Sequence, residues 1–362
     1  MSEPGWDLMT WTVAENIERL VTLDIRHHGI VHRLAAAARA QAGLPVAMAA
    51  AEALCAHAGE GDAVLLLTGF AIPPLGHGET DGLAGTAMLA RVLAHGRKAR
   101  PVIITEAGIV PAVVAACTAA GLTVVTKTEE AERMPAAALV LPFTTDRAAA
   151  GVVASALLAR TEPAAAIAIE KAGRNEVGEY HTGSGVNVTA TAAKVDDLFL
   201  AVGEQGGLTI GVGDQGNELG MGGIREAVLR FTPRGAQCGC PCGKGTASAV
   251  PAQFAVIGAA ADWGAFGLAA ALAHLLDAPD LLPDGRTIER TLWAAVQAGT
   301  IDAPAQHPAP AVDGVGEATE VRVWELLRDC LVCPRRFRTQ APERYEAAAR
   351  NPAMRPGAQG EA

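Results

Sequence analysis

The strongest constraint on the fold of this chain is an alternation. Short apolar runs that end in glycine or a charged residue are each followed by a stretch with helical spacing. "AVLLLTGF" (63–70) reads as a buried strand, "GLAGTAMLARVLAHG" as a helix stopped by glycine, and "PVIITEAG" as the next strand, together a βαβ unit. "IVPAVVAACTAAG" with "LTVVTK", and "AALVLPF" with "DRAAAGVVASALLAR", repeat the scheme. "AAIAIEKAG" (165–173), "LTIGVGDQG" (208–216) and "QFAVIGAAADWG" (253–264) extend it. Apolar strands separated by helices predict an α/β fold: a mostly parallel, doubly wound, Rossmann-like sheet with helices on both faces and right-handed crossovers. The expected organisation is a single large α/β domain over 1–335 that opens with a helical segment, about 1–60. A polar, proline-punctuated tail, 336–362, is expected to be flexible, with at most one loose helix before disorder.

Composition narrows the functional classes. Half of the 362 residues are apolar, the formal charge is −10, and no dense Lys/Arg block is present. Such a chain lacks the cationic stripe that phosphate backbones require, so nucleic acid is not an expected partner. The N-terminus carries acids where a signal peptide carries bases, and the longest apolar tract, 254–276, is broken by Asp262 and glycines. A cytoplasmic chain without membrane association is therefore expected. Seven cysteines, an odd number without secretory context, argue against a disulfide framework. Cys238, Cys240 and Cys242 in "CGCPCGKG", with Cys330 and Cys333 in "CLVC", could gather thiolates for zinc, but C-x-C-x-C is unlike paired zinc knuckles. The expectation is small residues lining a tight loop, two half-buried thiols in "CLVC", and no structural zinc.

In parallel sheets, ligands gather outside the carboxyl ends of the strands. His77, Glu79, Thr80 and Asp81 follow the first strand, and Glu106 follows the second. Glu170, Lys171 and Arg174 follow the strand at 165, Asp214, Asn217 and Glu218 the strand at 208, and Asp262 the strand at 253. Taken singly, each has a plain reading: Asp81 caps the helix that begins near Gly82, and Glu106 is a solvated loop carboxylate. Converging carboxylates, however, repel and raise one another's pKa unless a cation neutralises them, and hard oxygen ligands suit Mg²⁺ or Mn²⁺.

The densest of these loops is "GVGDQGNELGMGG", Gly211 to Gly223, with six glycines around Asp214, Asn217 and Glu218. "GVGDQG" fits G-x-G-x-x-G after a strand, yet a carboxylate at Asp214 would repel a pyrophosphate, and the motif does not lie in the opening βαβ unit. NAD is not expected. The loop is also similar to the "GDGxND" signature of haloacid-dehalogenase phosphatases, whose D-x-D-x-T segment has no counterpart after the first strand. A tight glycine turn capped by Asp214 stands as the structural alternative.

Four ordered blocks carry a resemblance. "VLLLTGF" with "GETDGLAGTAMLARVL", "AIEKAG" with "GEYHTGSGVNV", "IGVGDQGNELGMG", and "CGKGTASAVPAQFAVIGAAADWG" resemble the C-terminal domain of the D-glutamate cyclase-like family. Against the family's usual pattern, Lys171 stands for an arginine, His181 for a tyrosine, and Ala261-Asp262 for Ser-Asn. The resemblance implies a lyase that dehydrates D-glutamate to 5-oxo-D-proline, a small anionic metabolite as ligand, and a second copy or a partner domain. It also implies site roles. Asp214, Glu218 and Asp81 would hold a divalent metal, and Glu170 or Glu79 would move protons. Lys171, Arg174, Asn217 and Arg225 would bind substrate. The same parts would suit a metal-dependent phosphohydrolase of a small phosphate ester, or a non-enzymatic sensor of an amino acid or metal.

Overall fold

The computed structural model describes residues 5–350 other than 75, 135 and 136, and only the backbone at 132 and 336–350. Its centre is a sheet of seven parallel strands: β1 (Ala63–Thr68), β2 (Arg100–Glu106), β3 (Val124–Val125), β4 (Ala138–Phe143), β5 (Ala165–Ile169), β6 (Leu208–Gly213) and β7 (Phe254–Ile257). Every apolar run expected to be a strand is one. The spatial order is β3-β4-β2-β1-β5-β6-β7, with Leu66 of β1 between Ile103 of β2 and Ile167 of β5. The chain builds outward on one side of β1, then returns to lay β5 on its other side. The crevice between the carboxyl ends of β1 and β5 is thus the topological switch point, where ligands bind in open α/β sheets.

The helices are α1 (Leu8–Val21), α2 (Val31–Ala42), α3 (Val46–His57), α4 (Leu83–Val92), α5 (Val110–Ala119), α6 (Thr128–Arg133), α7 (Arg147–Thr161), α8 (Asp196–Glu204), α9 (Arg225–Phe231), α10 (Ala261–Leu275), α11 (Gly285–Gln297) and α12 (Glu317–Arg350). The period-2 geometry of a strand sends alternate side chains to opposite faces. Leu65, Leu67, Val102 and Ile104 accordingly share one core with Ala154 of α7 and Phe199 of α8. Val64, Leu66, Ile103 and Ile167 share the other with α4, α5, α10 and the N-terminal helices. Both faces are covered, as a doubly wound sheet requires. The alanine excess finds its place in α10, which is buried on all sides from Ala261 to Ala273, because small side chains let neighbouring helices approach closely.

α1 to α3 fill the N-terminal segment where helices were expected, and the turn between α1 and α2 carries Arg26 to the switch point. In the C-terminal region one helix runs unbroken from Glu317 to Arg350, across the boundary expected at 336, and the disorder expected after it lies outside the described residues. Cys330 on this helix is half-buried, whereas Cys333 is exposed. No single helix among the described residues is long and apolar enough to cross a membrane.

Candidate active site

The glycine-rich loop after β6 folds back on itself, and its glycines have separate tasks. Glu218 Oε1 accepts from the backbone N–H groups of Asp214 (3.2 Å) and Gln215 (2.9 Å), and Oε2 from Gly216 (2.7 Å). A Cβ at Gly213 would lie 2.6 Å from the Glu218 carboxylate, so only glycine leaves room for it. The carboxylate that closes the turn is therefore that of Glu218, not Asp214. Asp214 instead faces Arg26 Nη2 at 2.5 Å, and Arg26 Nη1 donates to Asp313 at the tip of the hairpin Ala311–Val312/Val315–Gly316.

Glu170 directly follows β5 in the left-handed region, with φ 42, one of several non-glycine residues so placed. Gly82 makes the matching accommodation, since a Cβ there would stand 2.7 Å from Glu170 Cβ. One oxygen each of Glu170, Asp214 and Glu218 lies within 4.8 Å of the others. Glu79 and Asp313 border the same group, and with Glu170, Arg26, Asn217 and Gln215 they line a cavity of about 620 Å³. Asn217 Nδ2 donates to the His181 carbonyl (3.2 Å), which fixes the amide and leaves Oδ1 without a partner. Glu170 Oε2 is likewise buried and unpartnered.

The electrostatics follow from this crowding. Burial first, then the carboxylates of Asp313, Asp81, Asp214 and Glu218, pushes Glu79 well above the carboxylate range. Burial and the neighbours Glu218, Asp81, Asp214 and Glu79 do the same to Glu170. Asp214 is raised to about 7, mainly by burial, with Arg26 opposing and Glu218 adding. Asp313 also reaches about 7, through burial and Asp214. Burial disfavours the Arg26 charge, but Asp214 and Asp313 outweigh it and hold its pKa above the ordinary value.

Several residues expected at the site serve elsewhere. Asp81 does not cap the helix it precedes: its oxygens accept from Gly82 (2.8 Å), Asp262 (2.8 Å) and Ala261 (3.0 Å), closing the N-terminus of α10. Asp262 answers by accepting from Gly85 in α4 at 2.6 Å. Lys171 is fully buried, with Nζ 2.5 and 2.6 Å from the Glu106 oxygens and donating also to the carbonyls of Thr68 and Gly69. Glu106, expected as a solvated carboxylate, is thus a buried partner that also accepts from Ala193 N–H. Arg174 pairs with Asp197 (2.6 Å) and Arg225 with Glu176 (2.8 Å), both near the surface and outside the cavity lining.

Arg26, Asp313 and Glu320 were not singled out in the sequence. Arg26 sits in "DIRHHG", a run of basic side chains between two helices, and Asp313 in "AVDGVG", where an Asp-Gly pair between apolar residues signals a hairpin. Neither signal says what the charge will meet. Glu320 is fully buried and accepts from Trp263 Nε1 at 2.9 Å; burial pushes it well above its usual range.

The three loop cysteines also gain a partner that spacing did not reveal. His181 Nε2 lies 3.2 Å from Cys240 Sγ and 3.6 Å from Cys242 Sγ, while Cys330 and Cys333 stay on α12. The gathered group is three thiols and an imidazole, a set that can hold a metal ion, where a plain tight loop was expected.

The D-glutamate cyclase-like, C-terminal family matches residues 17–328. A stretch of 107 residues is 42% identical to human "D-glutamate cyclase, mitochondrial", covering 29% of this chain and 16% of the human protein. The match to the family extends over most of the chain, which belongs to the D-glutamate cyclase-like family.

Proposed function

We propose that this member of the D-glutamate cyclase-like family closes D-glutamate to 5-oxo-D-proline with loss of water, in the cavity at the switch point and with the help of Mg²⁺ or Mn²⁺. The observation that carries the reading is the pair of unpartnered buried acceptors, Glu170 Oε2 and Asn217 Oδ1, beside a carboxylate cluster that faces one guanidinium. Buried acceptors without donors are costly, and clustered acids without enough cations more so. The oxygens of Glu170, Asp214 and Glu218 are hard donors close enough to share one ion, so the residues fit a divalent metal. Bound there, the metal would mask the charge of the γ-carboxylate and polarise it toward attack.

The protein's own groups supply the rest. In the reaction, nitrogen bonds to the γ-carboxyl carbon, one carbon–oxygen bond breaks, and two protons pass from nitrogen to the departing oxygen. Glu79 is suited to carry them in turn: it lines the cavity, and burial among acids raises its pKa, which favours holding a proton there. Arg26 offers the cavity's guanidinium to the α-carboxylate, a role that suits it by position, since it lines the cavity and Lys171, Arg174 and Arg225 do not. Anchoring both carboxylates leaves the amine of only one enantiomer aimed at the γ-carbon.

The test is product formation followed by NMR, with D- or L-glutamate and Mn²⁺ or Mg²⁺, beside Glu79→Gln and beside an aryl phosphate. Lactam formed faster from D-glutamate and lost in Glu79→Gln is the expected result. Metal-dependent phosphate release without lactam would overturn the reading in favour of a phosphohydrolase, and inactivity on both would overturn it in favour of a binding role.

A further inference from the structure

We propose that His181, Cys238, Cys240 and Cys242 form a closed tetrahedral zinc site that clamps one wall of the cavity. The inference does not depend on the cyclase reading, because its ligands are separate from the carboxylate cluster.

Geometry is the first argument. The three sulfurs stand 3.3 Å from one another, and His181 Nε2 is 3.2 Å from Cys240 Sγ and 3.6 Å from Cys242 Sγ. All four ligand atoms lie within 4.8 Å of each other. A tetrahedron with Zn–S of about 2.3 Å has edges of roughly 3.7 Å, and one with Zn–N near 2.0 Å slightly shorter mixed edges. The observed spacings are close to those edges and far from the ~2.05 Å of a disulfide. Three sulfurs on one short loop cannot all be paired as disulfides among themselves, whereas one soft d¹⁰ cation satisfies all three and the imidazole together.

The surroundings are a second argument. Asn175 Nδ2 reaches Cys242 Sγ at 3.7 Å and Asn187 Nδ2 reaches Cys240 Sγ at 3.8 Å, the outer-shell N–H···S contacts that stabilise bound thiolates. Asn175 also donates to the Gly245 carbonyl (2.9 Å) and accepts from Glu179 N–H (2.9 Å), so one side chain fastens the cysteine loop to the histidine loop. The ligands thus come from two loops already held in register. His181 and Cys238 are buried, and Cys240 and Cys242 half-buried, so the four ligands leave little room for a water in the coordination sphere. That is the arrangement of a structural site, not a catalytic one.

The position gives the clamp its purpose. His181 directly precedes Thr182, Gly183 and Ser184 of the cavity wall, and its carbonyl accepts from Asn217, itself in the lining. Bridging the histidine loop to the cysteine loop would fix that wall against the loop after β6.

Elemental analysis of the full chain, purified under reducing conditions, should find one zinc per chain in wild type and in Asp214→Asn. Cys240→Ser should lose it, whereas Cys240→His, which keeps a ligand, should retain most of it. Cobalt exchanged into wild type should give the thiolate-to-cobalt charge-transfer bands of a tetrahedral site. Chelation should raise hydrogen exchange in 175–190 and 236–246 without unprotecting the central strands. Folded, reduced wild type carrying well below one zinc when zinc is supplied, iron or copper in its place, a disulfide within the trio, or zinc content unchanged in Cys240→Ser would each overturn the proposal.

Discussion

Two buried groupings of cations and carboxylates stand next to each other along the carboxyl edge of the sheet, and they are balanced differently. At the ends of β2 and β5, Lys171 meets Glu106, and two backbone carbonyls and one backbone N–H fill the remaining positions. Burial lowers the Lys171 pKa, and Glu106 opposes the fall. At the ends of β1, β5 and β6, Arg26 meets Asp214 and Asp313, while Glu79 and Glu170 crowd the same cavity with no cation of their own among the described residues. Proximity of buried charge does not by itself mark a site. A buried pair whose charges and hydrogen bonds close has been spent on the fold, and a buried group left with surplus charge and open acceptors is set up for something else to bind.

The largest effect should come from breaking the closed pair. Lys171→Met leaves Glu106 buried and unpaired, and should lower unfolding free energy by about 3–5 kcal/mol in urea titrations. The double change Lys171→Met with Glu106→Gln should recover much of that loss. If the single variant were as stable as wild type, the two groupings would not differ as described.

The open grouping should respond in the opposite sense. Removing one surplus charge with Glu170→Gln relieves repulsion, and should raise metal-free stability by about 1 kcal/mol while weakening Mn²⁺ binding and lowering lactam formation through the lost metal donor. A variant that loses stability and keeps activity would make Glu170 a fold residue like Glu106.

The pH dependence of the metal-free protein gives a smaller, graded signal. Asp214 and Asp313 titrate at about 7 in the fold, against an ordinary 3.8. Between those values the native state holds protons that the unfolded chain has released, so this contribution to stability is full below about 4 and is lost as pH rises through about 7. Melting temperature should therefore be higher at pH 5.5 than at pH 8. Mn²⁺ should raise it most at pH 8, where the acids are ionised. A metal-free protein that gains stability across this window would remove the surplus-acid interpretation.

The smallest effects belong to cations outside both groupings. Arg174→Ala and Arg225→Ala delete exposed ion pairs, so each should change stability by less than about 1 kcal/mol and leave the KM for D-glutamate within about twofold. A tenfold rise in KM for either would return these side chains to the substrate.

How far the sequence could be read depended on the range of the interaction. Strand and helix order were legible because apolar spacing is a local property: "VLLLT" is buried on both faces whatever its partners. The carboxyl edge of the sheet was legible too, and with it the placing of Glu79, Glu170, Asp214 and Asn217, because parallel topology sends residues after strands to one edge; the switch point, which needs the strand order, was not. The roles of Asp81 and Lys171 were not, since nothing near them in the chain shows that Asp81 will meet the amides of α10 or Lys171 the carboxylate of Glu106.

By itself, then, the sequence determined the layered sheet and the set of acids at its carboxyl edge. Only the tertiary structure decided which of those acids are satisfied. Arg26 lies 188 residues from Asp214 and 287 from Asp313, and His181 lies 59 from Cys240, yet each makes its contact through space. The physical reason is that charge pairing and ligand geometry depend on distances of a few ångströms, which are fixed only after the hydrophobic layers have packed.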